Sequence, residues 1–423
     1  VGALTNKVFR FRARAWELIA RESLGYHDAL GSNLFLHTRR GEVLRTVPRD
    51  NEAVNECWLS DRDRYSHQGL YANDRAQQPL VKDGEDWREA SWDEALAKAA
   101  HILRNNGGDN LGILAHPATS NEEGALLARL AKALGTGNLD HRIGQNDLSD
   151  AATADIFGMP VADIESADLV VIVGSNLRHE LPLVHQRVRK AGRKGAKVHV
   201  VNPVDFDFTF EVAGKQIVAP SKLAGALSDA ALVDAAKAAN HAVVIVGALA
   251  ENGPYAATIR KAVAAFAATT NTAVCRIPQG ANAVGLARNG LRPVGQGRHA
   301  GAMLAQPLPA YVLYGIEPQY DFAHGAQALK AFAGAKVVAF SAYASEDLKK
   351  IAQVILPIGL LPEVEATLTN VDGTDQSTQA GGKLPGEARA GWRVLRALGG
   401  QLGLAGFEFT DLAGLRAALA PTA

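Results

Sequence analysis

The chain has 423 residues, which at roughly 150 residues per domain predicts two or three packed units. Hydrophobic residues make up 47% and charged residues 21%, the balance of an ordinary globular chain, and this argues against disorder, collagen and coiled coil. Lys+Arg and Asp+Glu are both 44, so the formal net charge is zero and no overall field favours nucleic acid or another polyanion.

Residues 1–85 are rich in Arg, Asp and Asn. In VFRFRARAW, Arg10, Arg12 and Arg14 alternate with Phe9, Phe11 and Ala13, a two-residue period that predicts a strand. Asn33–His37 and Glu42–Val47 flank Arg40-Gly41 as a hairpin. This stretch is expected to form a small, irregular, β-containing unit. A chain that opens on Val1, with Arg10, Arg12, Arg14 and Arg21 and no apolar central stretch, does not read as a signal peptide and suggests a fragment.

Residues 86–423 read as an α/β region of doubly wound, mostly parallel sheets, in two subdomains. The strand candidates are Leu111–Ala115, Leu169–Val173, Lys197–Val201, Ala242–Val246, Ala273–Ile277, Ala310–Tyr314 and Lys336–Phe340. Runs such as LVVIV are apolar at every position, as in strands covered by helices on both faces. Ser91 with Glu94, and Ser120 with Glu123, have capping-box spacing and start helices. A further helix over 181–193 ends in the cationic RKAGRKG. Gly280–Gly301 and Pro357–Gly386 read as irregular connections. Neither Leu169–Val173 nor Val354–Leu361, the latter broken by Pro357, nears the run of about 18 apolar residues a membrane helix needs, so the chain is expected not to cross a membrane.

Chemistry-bearing motifs are sparse. The two cysteines, Cys57 and Cys275, lie 218 positions apart. That spacing argues against a disulfide framework, against a cysteine-ligated cluster built from this chain alone, and for a reducing compartment. Three loops follow strands where open sheets place ligands: Gly174-Ser175-Asn176, Asn202-Pro203 and Gly315-Ile316-Glu317-Pro318. Each also supplies the tight turn that any strand-to-helix connection needs. Gly295, Gly297 and Gly301 miss the dinucleotide fingerprint in spacing. His179 and His185 are six apart, wrong for chelation from one helix face. Asp61 to Arg64 alternate in charge as a solvated cluster does. No catalytic residue and no metal ligand is identified.

VGALTNK at 1–7, FRFRARAWEL at 9–18, NEAVNECWLSDRDRYSHQGL at 51–70 and SWDEAL at 91–96 resemble the large iron-sulfur subunit of bacterial NADH-quinone oxidoreductase, respiratory complex I. The resemblance runs over essentially the whole chain. In that family VGALT follows a Cys-Pro whose cysteine is the last ligand of a four-iron cluster. The resemblance therefore implies iron-sulfur clusters in a region before Val1 and no cofactor in this fragment.

The remainder resembles the molybdopterin oxidoreductase superfamily. Gly174, Ser175, Asn176, Asn202, Gly315, Glu317 and, in VILPIGLLPEVEATLTNVDG at 354–373, Asn370 fall where those enzymes carry pterin-binding loops. Residues 1–85 would be a degenerate form of its 4Fe-4S domain, with Asp28, Ser32 and Ser60 where cysteines are usual and Cys57 alone and too early. Between Asn138, Asp140 and Phe157-Gly158, Gln145 or Asn146 takes the molybdenum-ligand position, where a neutral amide does not replace a thiolate; Asp147 and Ser149 are the nearby alternatives. The resemblance implies a structural part of the complex I peripheral arm that supports electron transfer from NADH to quinone. It would lie on the cytoplasmic side of a bacterial inner membrane, with other arm subunits and the cluster-bearing N-terminal region as partners, and meet the membrane only through the complex. The alternatives are a molybdopterin-dependent oxidoreductase and a nucleotide-binding module without redox activity.

Overall fold

The computed structural model describes residues 6–419, so the VGALT segment at 1–5 lies outside the described residues. The N-terminal part holds a three-stranded antiparallel sheet of Ile19–Leu24, Asn33–Arg39 and Glu42–Pro48. Its hairpin turns at Arg40 and Gly41, with φ of 55° and 84°, as the two-residue turns that match strand twist require.

The strand expected over residues 9–14 does not form. This stretch is a run of turns leading into a 3-10 helix at Ala15–Glu17, and Phe11 has φ 65°. Side chains rather than a ladder anchor it to the sheet. The Arg45 guanidinium lies 4.2 Å from the Phe9 ring centre, Arg12 pairs with Glu42 at 2.6 Å, and Arg39 pairs with Glu17 at 2.7 Å.

All seven expected parallel strands form. Gly214–Ile217, Lys197–Asn202, Leu169–Val173, Ala242–Val246 and Ala273–Arg276 make a parallel five-stranded sheet in that order. The other sheet has seven strands, in the order Asp86–Glu89, Leu80–Asp83, Ala352–Pro357, Lys336–Ser341, Ala310–Tyr314, Leu111–Ala115 and Leu139–Asp140. Its last five strands are parallel, and Leu80–Asp83 and Asp86–Glu89 run antiparallel at the edge. The all-apolar runs divide by parity between two layers. Val170 and Ile172 pack with Val184 and Val188, whereas Leu169, Val171 and Val173 pack with Ile259, Val263 and Phe266. Every residue of LVVIV is buried, as this two-sided cover demands.

Helices Trp92–Asn105, Asn121–Ala133 and Pro182–Arg193 stand where expected. Ser91 accepts the Glu94 N–H at 3.2 Å, but the Glu94 carboxylate turns outward to Arg88. The Gly280–Gly301 connection is more regular than expected, with helix Ala283–Arg288 inside it and helix Ala300–Ala305 at its end. Pro357–Gly386 likewise contains a short hairpin of Thr367–Thr369 and Asp375–Ser377. Among the described residues no helix is long and apolar enough to cross a membrane.

Charged side chains fasten the N-terminal part to the sheets. Arg75 forms a two-pronged pair with Glu363, at 3.0 and 2.7 Å, and donates to the carbonyls of Leu70 and Ala342. Both side chains of the pair are 3% exposed. Arg187 reaches from its helix to the Glu52 carbonyl at 2.6 Å. Replacing Arg75 with Met strands a buried carboxylate, for which the expected loss is about 3–5 kcal/mol. Urea unfolding checks this, and adding Glu363→Leu is expected to recover part of the loss.

Candidate functional site

In the seven-stranded sheet the chain leaves Leu111–Ala115 towards one edge and resumes on its other side at Ala310–Tyr314. Strand order therefore reverses between His116 and Gly315, the kind of point at which open α/β sheets bind ligands. A cavity of about 440 Å³ opens there, within the size range of small-molecule sites. Gly315, Glu317 and Asp321 line it from the GIEP loop and the short helix that follows, Glu123 from helix Asn121–Ala133, and Tyr26 and His27 from the N-terminal part.

The ionisable groups of this cavity are held by their backbone surroundings. His116 Nδ1 accepts the Ala118 N–H at 3.1 Å, which leaves Nε2 3.8 Å from Asp321 Oδ1. The other Asp321 oxygen accepts the Glu317 N–H at 2.7 Å. Burial lowers the His116 pKa and raises that of Asp321, and their mutual attraction opposes both shifts. Burial, reinforced by Arg62, pulls His27 down to about 4, so its imidazole is neutral at pH 7, and its Nε2 is buried without a partner. The Tyr314 hydroxyl lies against the Glu123 carboxyl, and burial raises the pKa of both groups.

The five-stranded sheet has its own reversal, between Leu169–Val173 and Ala242–Val246, and there Gly174, Ser175 and Asn176 face Gly247 and Ala248. Phosphate would ordinarily meet such backbone N–H groups. Here they serve a side chain of the same chain. Glu180 accepts the Asn176 N–H with one oxygen and the Ala248 N–H with the other, each at 2.9 Å. Burial raises its pKa and these hydrogen bonds oppose the rise. A Cβ on Gly247 would lie 2.5 Å from Glu180 Oε2, so the cradle is closed. Asn202 is spent on Ser175, accepting its N–H at 2.8 Å and donating to its carbonyl at 2.9 Å. Asn370 accepts the N–H groups of Asp372 and Thr374 at 3.0 Å each and shapes a hairpin turn. The seven loop candidates thus separate: Gly315 and Glu317 border the open cavity, Gly174, Ser175, Asn176 and Asn202 the closed cradle, and Asn370 a turn.

The stretch expected to present a molybdenum ligand is tied down. Asn146 donates to the Asn252 carbonyl at 2.8 Å, and Asp147 accepts from Ser149 and, at 2.9 Å, from the Ala257 N–H. Arg260 joins Asp150 to Glu251, and Arg276 joins Glu251 to Asp155. Amides at Gln145 and Asn146 and an engaged carboxylate at Asp147 do not form an anionic soft-metal ligand set. Glu180 occupies the phosphate cradle. These residues do not fit a molybdopterin group.

The molybdopterin oxidoreductase family model matches residues 75–401. This chain belongs to that family. Members of the complex I branch are similar over almost all of it: the mitochondrial 78 kDa subunit of NADH-ubiquinone oxidoreductase of Neurospora crassa is 32% identical over 98% of the chain and 56% of that protein. The mitochondrial NADH dehydrogenase (ubiquinone) iron-sulfur protein 1 of Solanum tuberosum is 30% identical over 98% of the chain and 55% of that protein. The chain thus spans about half the length of the curated relatives that it matches end to end. Acetylene hydratase from Pelobacter acetylenicus superposes with a TM-score of 0.62 at 15% identity, covering 92% of this chain and 70% of that one, and so shares the family fold.

One expectation is overturned. The NADH-ubiquinone oxidoreductase NDSU1/NuoG-like 4Fe-4S domain model matches residues 18–68, which places an iron-sulfur domain inside this chain and points to a cluster here rather than only in a region before Val1. The donors within that span are unusual. Cys57 is its one thiol and is exposed, whereas such clusters are ordinarily held by four thiolates. Ser60 caps helix Asp61–Tyr65 and bonds Asp63 Oδ2 at 3.0 Å. Asp28, which is buried, accepts the Leu30 N–H at 3.1 Å, and the Ser32 hydroxyl is buried without a partner. These donors do not fit a four-thiolate cluster.

Burial, then the nearby Asp28, pushes the Asp63 carboxyl up to about 7, against about 3.9 for a free Asp. The fold therefore favours the protonated acid, and the stability contributed is fully present below about pH 4 and lost as pH rises through about 7. Asp63→Asn, an uncharged mimic, is expected to flatten the melting temperature between pH 5 and 8 and to raise it by a few degrees at pH 8. For the closed cradle, Glu180→Ala leaves two N–H groups without their acceptor, at an expected cost of about 1–3 kcal/mol. Inorganic phosphate at about 20 mM is expected to restore part of the melting temperature in the variant and none in the parent.

Proposed function

We propose that this chain is a structural part of the peripheral arm of NADH-quinone oxidoreductase, supporting electron transfer from NADH to quinone by packing against redox-active parts of that arm. Its place would be on the cytoplasmic side of a bacterial inner membrane, attached through the complex. The observation that carries this reading is Glu180 seated in the cradle where an enzyme of this family would hold a phosphate-bearing cofactor, in a chain similar over 98% of its length to a complex I subunit. A molybdopterin-dependent oxidoreductase would need an anionic ligand where Gln145 and Asn146 stand. A nucleotide-binding module would need the cradle that Glu180 fills. The division at residue 85 belongs to the same proposal, with residues 1–85 as the contact unit and 86–423 as its support.

The surface best suited to a neighbouring arm protein is the turn-rich N-terminal stretch. Phe11 and Trp16 are 93% and 82% exposed, and Arg10 lies over the Phe11 ring. Exposed aromatic residues beside arginines are the composition of interface anchors. Changing Arg10, Arg12 and Arg14 together to Ser removes one exposed ion pair, Arg12–Glu42, which contributes little to stability. The variant is expected to keep the parent's melting temperature and to bind a preparation of the other peripheral-arm subunits at least about tenfold more weakly. A melt followed by a binding titration at two salt concentrations tests this. Equal affinity with an equal melt would show that the basic face meets only water.

A further inference from the structure

We infer that the cavity between His116 and Gly315 is a binding site for a small organic cation, a protonated amine on an apolar or aromatic body. The charge of its lining points this way first. Glu123, Glu317 and Asp321 border the cavity, and among the described residues no lysine or arginine does. Two guanidinium groups come near but are engaged outside it: Arg75 is paired with Glu363, and Arg62 bonds the Glu180 carbonyl and Asp28. A phosphate or carboxylate ligand would meet three carboxyl groups, with the His116 imidazole, already beside Asp321, as the nearest basic group of the lining.

The rest of the wall suits the body of such a ligand. Tyr26, Tyr314 and Tyr343 line the cavity beside Leu361 and Val364, and aromatic faces near carboxylates are how proteins hold ammonium groups. One polar atom in this lining, His27 Nε2, is buried without a partner among the described residues, and the Tyr314 hydroxyl, on a residue 1% exposed, has the Glu123 carboxyl beside it. Native structures leave few buried polar atoms unmatched, and an ammonium or hydroxyl group in the cavity supplies the missing hydrogen bond. The two strand-order reversals of this fold thus differ in kind. One is closed by Glu180, and the other remains open with its charge inverted from what a phosphate-bearing ligand requires.

A matched set of probes tests the inference by calorimetric titration of the full chain near pH 7. 2-Phenylethylamine, 2-phenylethanol and phenylacetate share a body and differ in charge. The amine is expected to bind about tenfold or more tightly than the alcohol, with no binding of phenylacetate or inorganic pyrophosphate. Glu317→Gln keeps the shape of a side chain that does not cap the helix it precedes, and the amide can still accept a hydrogen bond from Ser345. It is expected to melt with the parent and to weaken amine binding at least about fivefold while leaving the alcohol unchanged. Glu123→Gln is the second variant, should the first melt early. Absence of amine binding at about 10 mM, equal affinity for amine and alcohol, preference for phenylacetate, or undiminished amine binding in both variants would each overturn the inference.

Discussion

The buried pair of Arg75 and Glu363 is the constraint around which the N-terminal part and the seven-stranded sheet are arranged. Arg75 collects carbonyls from Leu70 and Ala342 as well as both Glu363 oxygens, so three segments far apart in sequence converge on one guanidinium. Its planar fork suits this in a way that a lysine would not. Glu363 in turn accepts the Leu360 N–H at 2.8 Å, which shapes the loop bearing Leu360 and Leu361. That loop, with Ala342 and Tyr343, is one wall of the open cavity. The cavity therefore owes its form to an ion pair outside it.

The same chemistry recurs wherever this fold departs from a cofactor enzyme. Glu180 fills a phosphate cradle, the Arg260–Glu251–Arg276 network locks the stretch where a metal ligand would stand, and Ser60 and Asp63 sit together in the iron-sulfur-type domain. In the first two cases the chain's own charges satisfy groups that a ligand would otherwise meet. In the third the satisfaction is incomplete. Asp63 Oδ1 has no partner, and a Cβ on Gly25 would lie 2.5 Å from it, so the carboxyl is pressed against backbone and disfavours its own charge.

Much of the architecture was legible because the strands are apolar at every position and the helices begin at Ser91 and Ser120. Burial on both faces leaves no room for alternation, and a hydroxyl that caps a helix must directly precede it. Gly214–Ile217 escaped because it is a half-exposed edge strand, with alternating intermediate and exposed residues. VFRFRARAW misled because alternation alone does not create a hydrogen-bonding neighbour: Arg12 found Glu42 and Phe9 found Arg45 instead of a partner strand. In Ala352–Pro357 the proline stands last, where it leaves the ladder intact.

The sequence by itself determined the parallel sheets, the strand ends at which ligands would gather, and the absence of thiolates around Gln145, since these depend on local pattern and residue identity. Tertiary structure alone decided which strand end is open and which is closed. Glu180 lies within one turn of its loop in sequence, yet its second oxygen serves Ala248, 68 positions away. His27, Glu123, Tyr314 and Asp321 come together only when the N-terminal part docks on the sheet. Their carboxyl and imidazole groups acquire a common environment from burial, and burial is a property of the assembled fold rather than of any segment of the chain.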